Sequence, residues 1–301
     1  MALRPIGNAL PTTPDRPKKH PKIAVAAATL KQQQTPAVND ENLVPPPPSG
    51  DATIDYVSSE NLIPISDPEA KIQSLIEDLD SKNWIKVCEA LNDVRRFALY
   101  HSAVLFPILG KIMLVVTKTM KNPRSALCKT SIMAASDVFN AFGDKLLDPS
   151  TSDAFDGLVL QLLLKASQDK RFVCEEAERA LVSMVASMTP LPLLKKLKGC
   201  VSHTNLRIRA KAAVSLSNCV SKMGVEEMEE FGMGEMIEVA ADLVNDRLPE
   251  ARDAARSVAT TVYEALTKDA EVEQKMEVWQ SFCQSKLQPI HALSILKIVK
   301  A

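Results

Sequence analysis

Aromatic residues are scarce in this chain, 4% of 301 residues. Few side chains are therefore available to stack on nucleic-acid bases. Net charge is also lacking, with 36 Lys and Arg against 37 Asp and Glu. A whole-protein positive field, the usual footprint of a nucleic-acid binder, is absent, so nucleic acid is a disfavoured partner. The six cysteines, at 88, 128, 174, 200, 219 and 283, never fall in a CxxC spacing. They read as reduced, buried residues rather than metal ligands or disulfides. The four histidines, His20, His101, His203 and His291, lie far apart in the sequence. Cys200 and His203 are close but sit at a helix end, where a structural role is expected. No HExxH, GxxxxGK or GxGxxG pattern occurs, and Gly232-Met233-Gly234 lacks a preceding strand and reads as a helix start. The expectation is a non-enzymatic protein without metal or cofactor. No uninterrupted run of 18 apolar residues exists, so no membrane span is expected.

Proline is unevenly placed: 12 of 19 fall within residues 1–68. Residues 1–65 read as a disordered, proline-rich arm, unable to bury enough surface to offset its ordering entropy. The arm is basic before residue 32, with Arg4, Arg16, Lys18, Lys19, Lys22 and Lys31 against Asp15. It is acid-poor like a transit segment, but Pro11, Pro14, Pro17 and Pro21 and its few serines argue against one. Pro45 to Pro48 favour a short polyproline II stretch. A spacer is the commoner role; docking to another protein is the alternative. Within the arm, Ile23 to Leu30 and Ile54 to Ile65 are candidates for local packing.

From residue 66 to 301 the apolar residues recur at helical spacing, and this part reads as a single domain. Ile72, Leu75, Ile76 and Leu79 line one helix face; Trp84, Val87, Cys88, Leu91 and Val94 line the next. A third helix is expected over 104–120, then others ending at Phe142 before Gly143, and over 152–167 and 230–244. Pro123, Pro190 and Pro249 mark helix starts. The second helix of each pair begins near Trp84, Arg124, Arg171, Arg207 and Arg252, at intervals of 40, 47, 36 and 45 residues. That is the period of two-helix solenoid units, so the fold class is all-α, a HEAT or armadillo-like superhelix. A globular helical bundle is the alternative. The pair after residue 270 is expected to cap the array or to be a truncated unit. In such an array the short turns inside successive units share one edge.

Those turns carry a resemblance. Asn83-Trp84-Ile85-Lys86 with Ala90-Leu91, and Pro123-Arg124-Ser125 with Phe139, Gly143 and Leu146, are similar to the first and second turns of a TOG domain of the CLASP N-terminal type. Asp169-Lys170-Arg171 resembles the third turn more weakly. Ser202 to Arg209 with Lys211-Ala212 resembles the fourth, and Glu250 to Arg256 the fifth. The resemblance covers residues 69–268. It implies a paddle-like array whose turns bind tubulin or microtubules, in the cytoplasm on the cytoskeleton. It further implies Trp84 as an apolar anchor flanked by Lys86, then Arg124, Lys170 and Arg171, Arg207 and Arg209, and Arg252 with Arg256, meeting an acidic surface. Two features depart from the family: Val87-Cys88-Glu89 follows Lys86 with no arginine, and one domain alone lacks avidity. Glu226, Glu227, Glu229 and Glu230 would repel an acidic partner on the same edge; they are expected on the opposite one.

Each of these residues also has a plainer role. A tryptophan at a helix start covers a core edge as readily as it contacts a partner. Solenoid arginines often tie adjacent units together. Arg207 and Arg209 point different ways on a helix, so one of them at most faces a partner squarely. Arg256 has Asp253 within reach. The alternative function is a generic protein-interaction scaffold. Trp84 exposed in line with the arginines favours tubulin; Trp84 buried, with the arginines paired internally, favours the scaffold.

Overall fold

The computed structural model describes residues 56–300, and the expectations for residues 1–55 fall outside it. The described residues contain helices and no strand. The main helices are α1 (Pro68–Leu79), α2 (Trp84–Tyr100), α3 (Ser102–Leu105), α4 (Leu109–Met120), α5 (Ser125–Phe142), α6 (Ser152–Ala166) and α7 (Arg171–Ser187). They continue with α8 (Pro190–Lys198), α9 (Leu206–Val220), α10 (Val225–Phe231), α11 (Met233–Leu243), α12 (Pro249–Leu266), α13 (Lys275–Lys286) and α14 (Pro289–Lys300). Antiparallel pairs α1/α2, α4/α5, α6/α7, α8/α9, α11/α12 and α13/α14 stack in chain order. The second helices form one layer, α2 on α5, α5 on α7, α9 on α12, and α12 on α14. Between α7 and α9 the contact is small, and α9 leans on α6 as well. This is an all-α, HEAT-like array, as the repeat spacing predicts.

The pairs stack because none can bury its apolar stripe alone. α5 shows this best. It is enclosed by α2, α4 and α7, and buries Leu127, Ile132, Val138 and Phe139 together with the small Ser131, Ala134 and Ala135. Phe139 meets Phe155 of α6 edge-on at 6.1 Å between ring centroids. Such a pair contributes about 0.5–1.5 kcal/mol beyond its burial. The last pair is closed by Trp279, fully buried, edge-on to Tyr263 and stacked on Phe282.

Local chemistry sets most boundaries. Asp67 caps α1 by accepting from the Ala70 amide at 3.0 Å. Pro190 and Pro249 stand in the first turns of α8 and α12, where their missing N–H is no loss. Pro123 lies two residues ahead of α5, in the turn rather than at the helix start. Gly143 ends α5 at φ 49°, and an added Cβ there would meet the Ser187 carbonyl oxygen at 2.7 Å. Gly232, at φ 101°, splits the expected 230–244 helix into α10 and α11. The expected 104–120 helix is broken by a 3₁₀ turn, Phe106–Ile108, around Pro107.

That same stretch, Ser102–Met120, reaches a mean hydropathy of 1.7, long and apolar enough by length and composition to cross a membrane. In the structure it is a core segment. Leu105, Leu109, Ile112, Met113, Val116 and Met120 are buried, and α4 packs on α5 and α6.

The sequence boundary at residue 65 is too late. Residues 56–65 lie on the helical layer as a strap. Arg95 of α2, fully buried, donates to Asp137 of α5 at 2.7 Å and to the Val57 carbonyl at 2.7 Å. Ser59 donates to the other oxygen of Asp137 at 2.7 Å, and Tyr100 donates to the Leu62 carbonyl at 2.6 Å. Leu62 is buried. A guanidinium forced into the core by helix packing needs several acceptors, and the strap supplies two of them.

Candidate functional site

Five turns join the helices within the first five units: residues 80–83, 121–124, 167–170, 199–205 and 244–248. Four of them are closed by the same device. Asn83 accepts from the Ile85 amide at 3.0 Å, Asn122 from Arg124 at 2.9 Å, Asn205 from Arg207 at 3.0 Å, and Asp246 from Leu248 at 2.9 Å. A short side-chain oxygen reaching two residues ahead satisfies an amide that the helix cannot.

Each turn is bonded to the next. The Arg124 guanidinium lies 5.1 Å from the Trp84 ring centroid, and Lys118 reaches Asp80 at 3.0 Å. Lys170 donates to Ser125 at 3.4 Å. Arg207 donates to Asp169 at 2.6 Å and to the Ser167 carbonyl at 3.3 Å. Arg209 pairs with Asp246 at 2.7 Å. The five turns therefore run in order along one edge. α10, with its four glutamates, follows the C-terminal end of α9 and so leaves from the opposite side.

The candidate residues have distinct places on this edge. Trp84 is half-buried, with one side packed on the core and Arg124 over its ring; Arg124 itself is exposed. Lys86 is exposed but pairs with Asp78 at 2.9 Å, and its hydrogen bond holds the Asp78 carboxyl below its usual range. Lys170 is exposed. Arg171 is exposed and pairs with Glu175 one turn along α7 at 2.7 Å. Arg207 is exposed, with Asp169 as its partner. Arg209 is a half-buried strut between the fourth and fifth turns. Arg252 closes its own turn by donating to the Asp246 and Arg247 carbonyls at 2.9 and 3.0 Å. Arg256 pairs with Asp253 at 2.6 Å. The arrangement thus divides the sequence-level alternatives: Arg124, Lys170 and Arg171 are exposed and Trp84 is partly so, while Arg209 ties the fourth turn to the fifth and Arg252 closes its own turn.

Asp246 has two roles. It accepts from Arg209 and from the Leu248 amide. Burial pushes its carboxyl up, but these hydrogen bonds and the nearby Arg209 and Arg252 charges together bring it below its usual 3.8.

Three exposed cations on the edge escape the sequence reading. Lys82 in the first turn, Lys121 in the second and Arg247 in the fifth make no ion pair among the described residues. None falls at a helix start, the position that the repeat spacing draws attention to. Among the described residues no group of three His, Cys, Asp or Glu side chains gathers as a metal site.

The CLASP N-terminal family profile matches residues 81–279. The chain belongs to this family. A mouse relative, TOG array regulator of axonemal microtubules protein 1, is 29% identical over 175 residues, 58% of this chain and 10% of its own length. The human protein of the same name is 30% identical over 143 residues, 48% of this chain and 8% of its own. This CLASP N-terminal chain thus spans a tenth or less of these relatives. Among solved structures, the TOG domain of C. elegans Zyg9 is 15% identical with a TM-score of 0.56, covering 81% of this chain and 90% of that one. A chain solved in work on microtubule plus-end tracking by XMAP215, CLIP-170 and EB1 gives 0.53 at 15% identity, over 75% and 95%. At these identities the structural likeness speaks for the fold alone.

Proposed function

We propose that this protein is a non-enzymatic tubulin- or microtubule-binding protein that acts through the turn edge, in microtubule organisation or dynamics. Such a role places it in the cytoplasm on the cytoskeleton. The observation that supports this most is the edge itself: five turns bonded in series, with the Trp84–Arg124 couple at one end. Trp84 supplies rigid apolar area. Arg124, Lys121, Lys170, Arg171, Arg207 and Arg247 supply orientation toward an acidic partner. Near-zero net charge means that attraction comes from this local placement.

A second reading, a generic protein-interaction scaffold, draws on the internal engagement of Arg209, Arg252 and Arg256. Co-sedimentation with microtubules and binding of free tubulin by the full chain decide between them. The test variant is Arg124→Glu with Lys170→Glu and Arg247→Glu, which leaves the struts intact. It is expected to bind at least tenfold more weakly, and wild-type binding to weaken with salt. If the wild-type chain binds neither form, the tubulin reading fails. If the triple variant binds equally well, the edge is not the interface.

A further inference from the structure

The edge is not flat between the second, third and fourth turns. A cavity of about 520 Å³ opens there, lined among others by Lys121, Cys128, Lys165, Lys170 and Arg207. Its charged lining is four cations against one carboxylate, Asp169, which is already engaged by Arg207 at 2.6 Å. Lys165 is the unusual member. It lies in the last turn of α6 with only 8% of its surface exposed, and it meets no carboxylate among the described residues. Its polar neighbour is the Cys128 thiol, which burial pushes up against the pull of the Lys165 ammonium. A buried cation needs a counter-charge. The α6 C-terminal dipole offsets part of that need and no more.

Two helix starts bear on the same space. α5 contributes Ser125 and Cys128, and α7 contributes Val173 after Lys170. Neither helix has a side-chain cap on its first-turn amides among the described residues, whereas α2 and α9 do. Uncapped amides and a positive dipole end favour an anion. The buried lysine and the two open helix starts thus converge on one cavity, whose one carboxylate, Asp169, is held by Arg207.

We infer that this cavity is a carboxylate-binding subsite, which receives an aspartate or glutamate side chain of the bound protein partner. The inference rests on the reading of the edge as a binding surface for an acidic protein. Lys165 is its central residue, Lys121 and Lys170 its rim. The site would fix the partner's register, because one carboxylate must enter one recess.

The test uses the full chain, 15N-labelled, titrated with an acetylated and amidated hexaglutamate peptide and separately with inorganic phosphate. The peptide is expected to shift the amide resonances of 125–127 and 171–173. Lys165→Met, close in volume and apolar, is expected to weaken peptide binding at least tenfold while keeping the wild-type melting temperature. Lys121→Gln with Lys170→Gln, both on the surface, is expected to weaken it at least threefold, and decides the matter if Lys165→Met does not fold. No peptide-induced shift at these amides overturns the inference, as does undiminished binding by the variants. Phosphate binding without peptide binding overturns it too, in favour of a free-anion site. Tubulin binding by a chain whose cavity ignores the peptide would sink the subsite alone. Peptide binding without tubulin binding would sink the tubulin reading instead.

Discussion

Replacing Asp137 by alanine tests the account of how the strap is held. Among the described residues Asp137 is the sole carboxylate paired with Arg95, and their side chains are 4% and 1% exposed. Removing it leaves the guanidinium in place, with Val57, Asn92 and Ser59 as its remaining partners at 2.7, 3.0 and 3.2 Å. Stranding one member of a buried pair costs about 3–5 kcal/mol. In a domain of this size, 1 kcal/mol corresponds to about 2–4 °C, so the melting temperature should fall by about 6–20 °C. The control is Arg95→Met with Asp137→Leu, which removes both charges. It should recover most of the loss, since an apolar replacement of a buried pair is often near neutral. Urea unfolding followed by circular dichroism gives the free energies. Limited proteolysis reads the strap: cleavage within 56–65 should accelerate in Asp137→Ala. A loss below about 1 kcal/mol, or a double variant no more stable than the single, would refute the reasoning.

Other consequences are independent of the strap. Gly143→Ala should destabilise by about 1–3 kcal/mol, because the backbone there is at positive φ and the new Cβ would meet the Ser187 carbonyl; equal melting temperatures would contradict this. Asp246 has a folded-state pKa below its usual 3.8, so its contribution is present above that value and is lost as pH falls through the lower one. Asp246→Asn should therefore lose stability at neutral pH and show a shallower decline below about pH 4; a parallel acid profile would count against it. Burial raises the Cys88 and Cys283 thiols to about 11 and Cys219 to about 12. These three should resist iodoacetamide at pH 8 under native conditions, while the half-buried Cys174 and Cys200 react first by mass spectrometry.

Much of this molecule is determined by sequence alone. Apolar spacing, prolines at the starts of α8 and α12, and Gly143 after α5 specify helices and their ends through local chemistry. Repetition at 36 to 47 residues fixes the class of array, because each pair has an apolar face that only a neighbour can cover. Trp84 and Arg124 are visible as candidates for the same reason, since they recur at the opening of a unit. Tertiary structure decides which cations are free. Arg209 and Arg207 stand two residues apart with the same chemistry, yet one reaches into Asp246 across a turn and the other lies on the surface over Asp169. Among the described residues Arg247 stays without an ion pair, although Arg252 is spent on the carbonyls of that turn. Nor does the sequence reveal that Lys165, one lysine among many, ends inside a cavity under three turns. Helix periodicity reports a side chain's direction on its own helix; burial and pairing depend on what neighbouring units place opposite it.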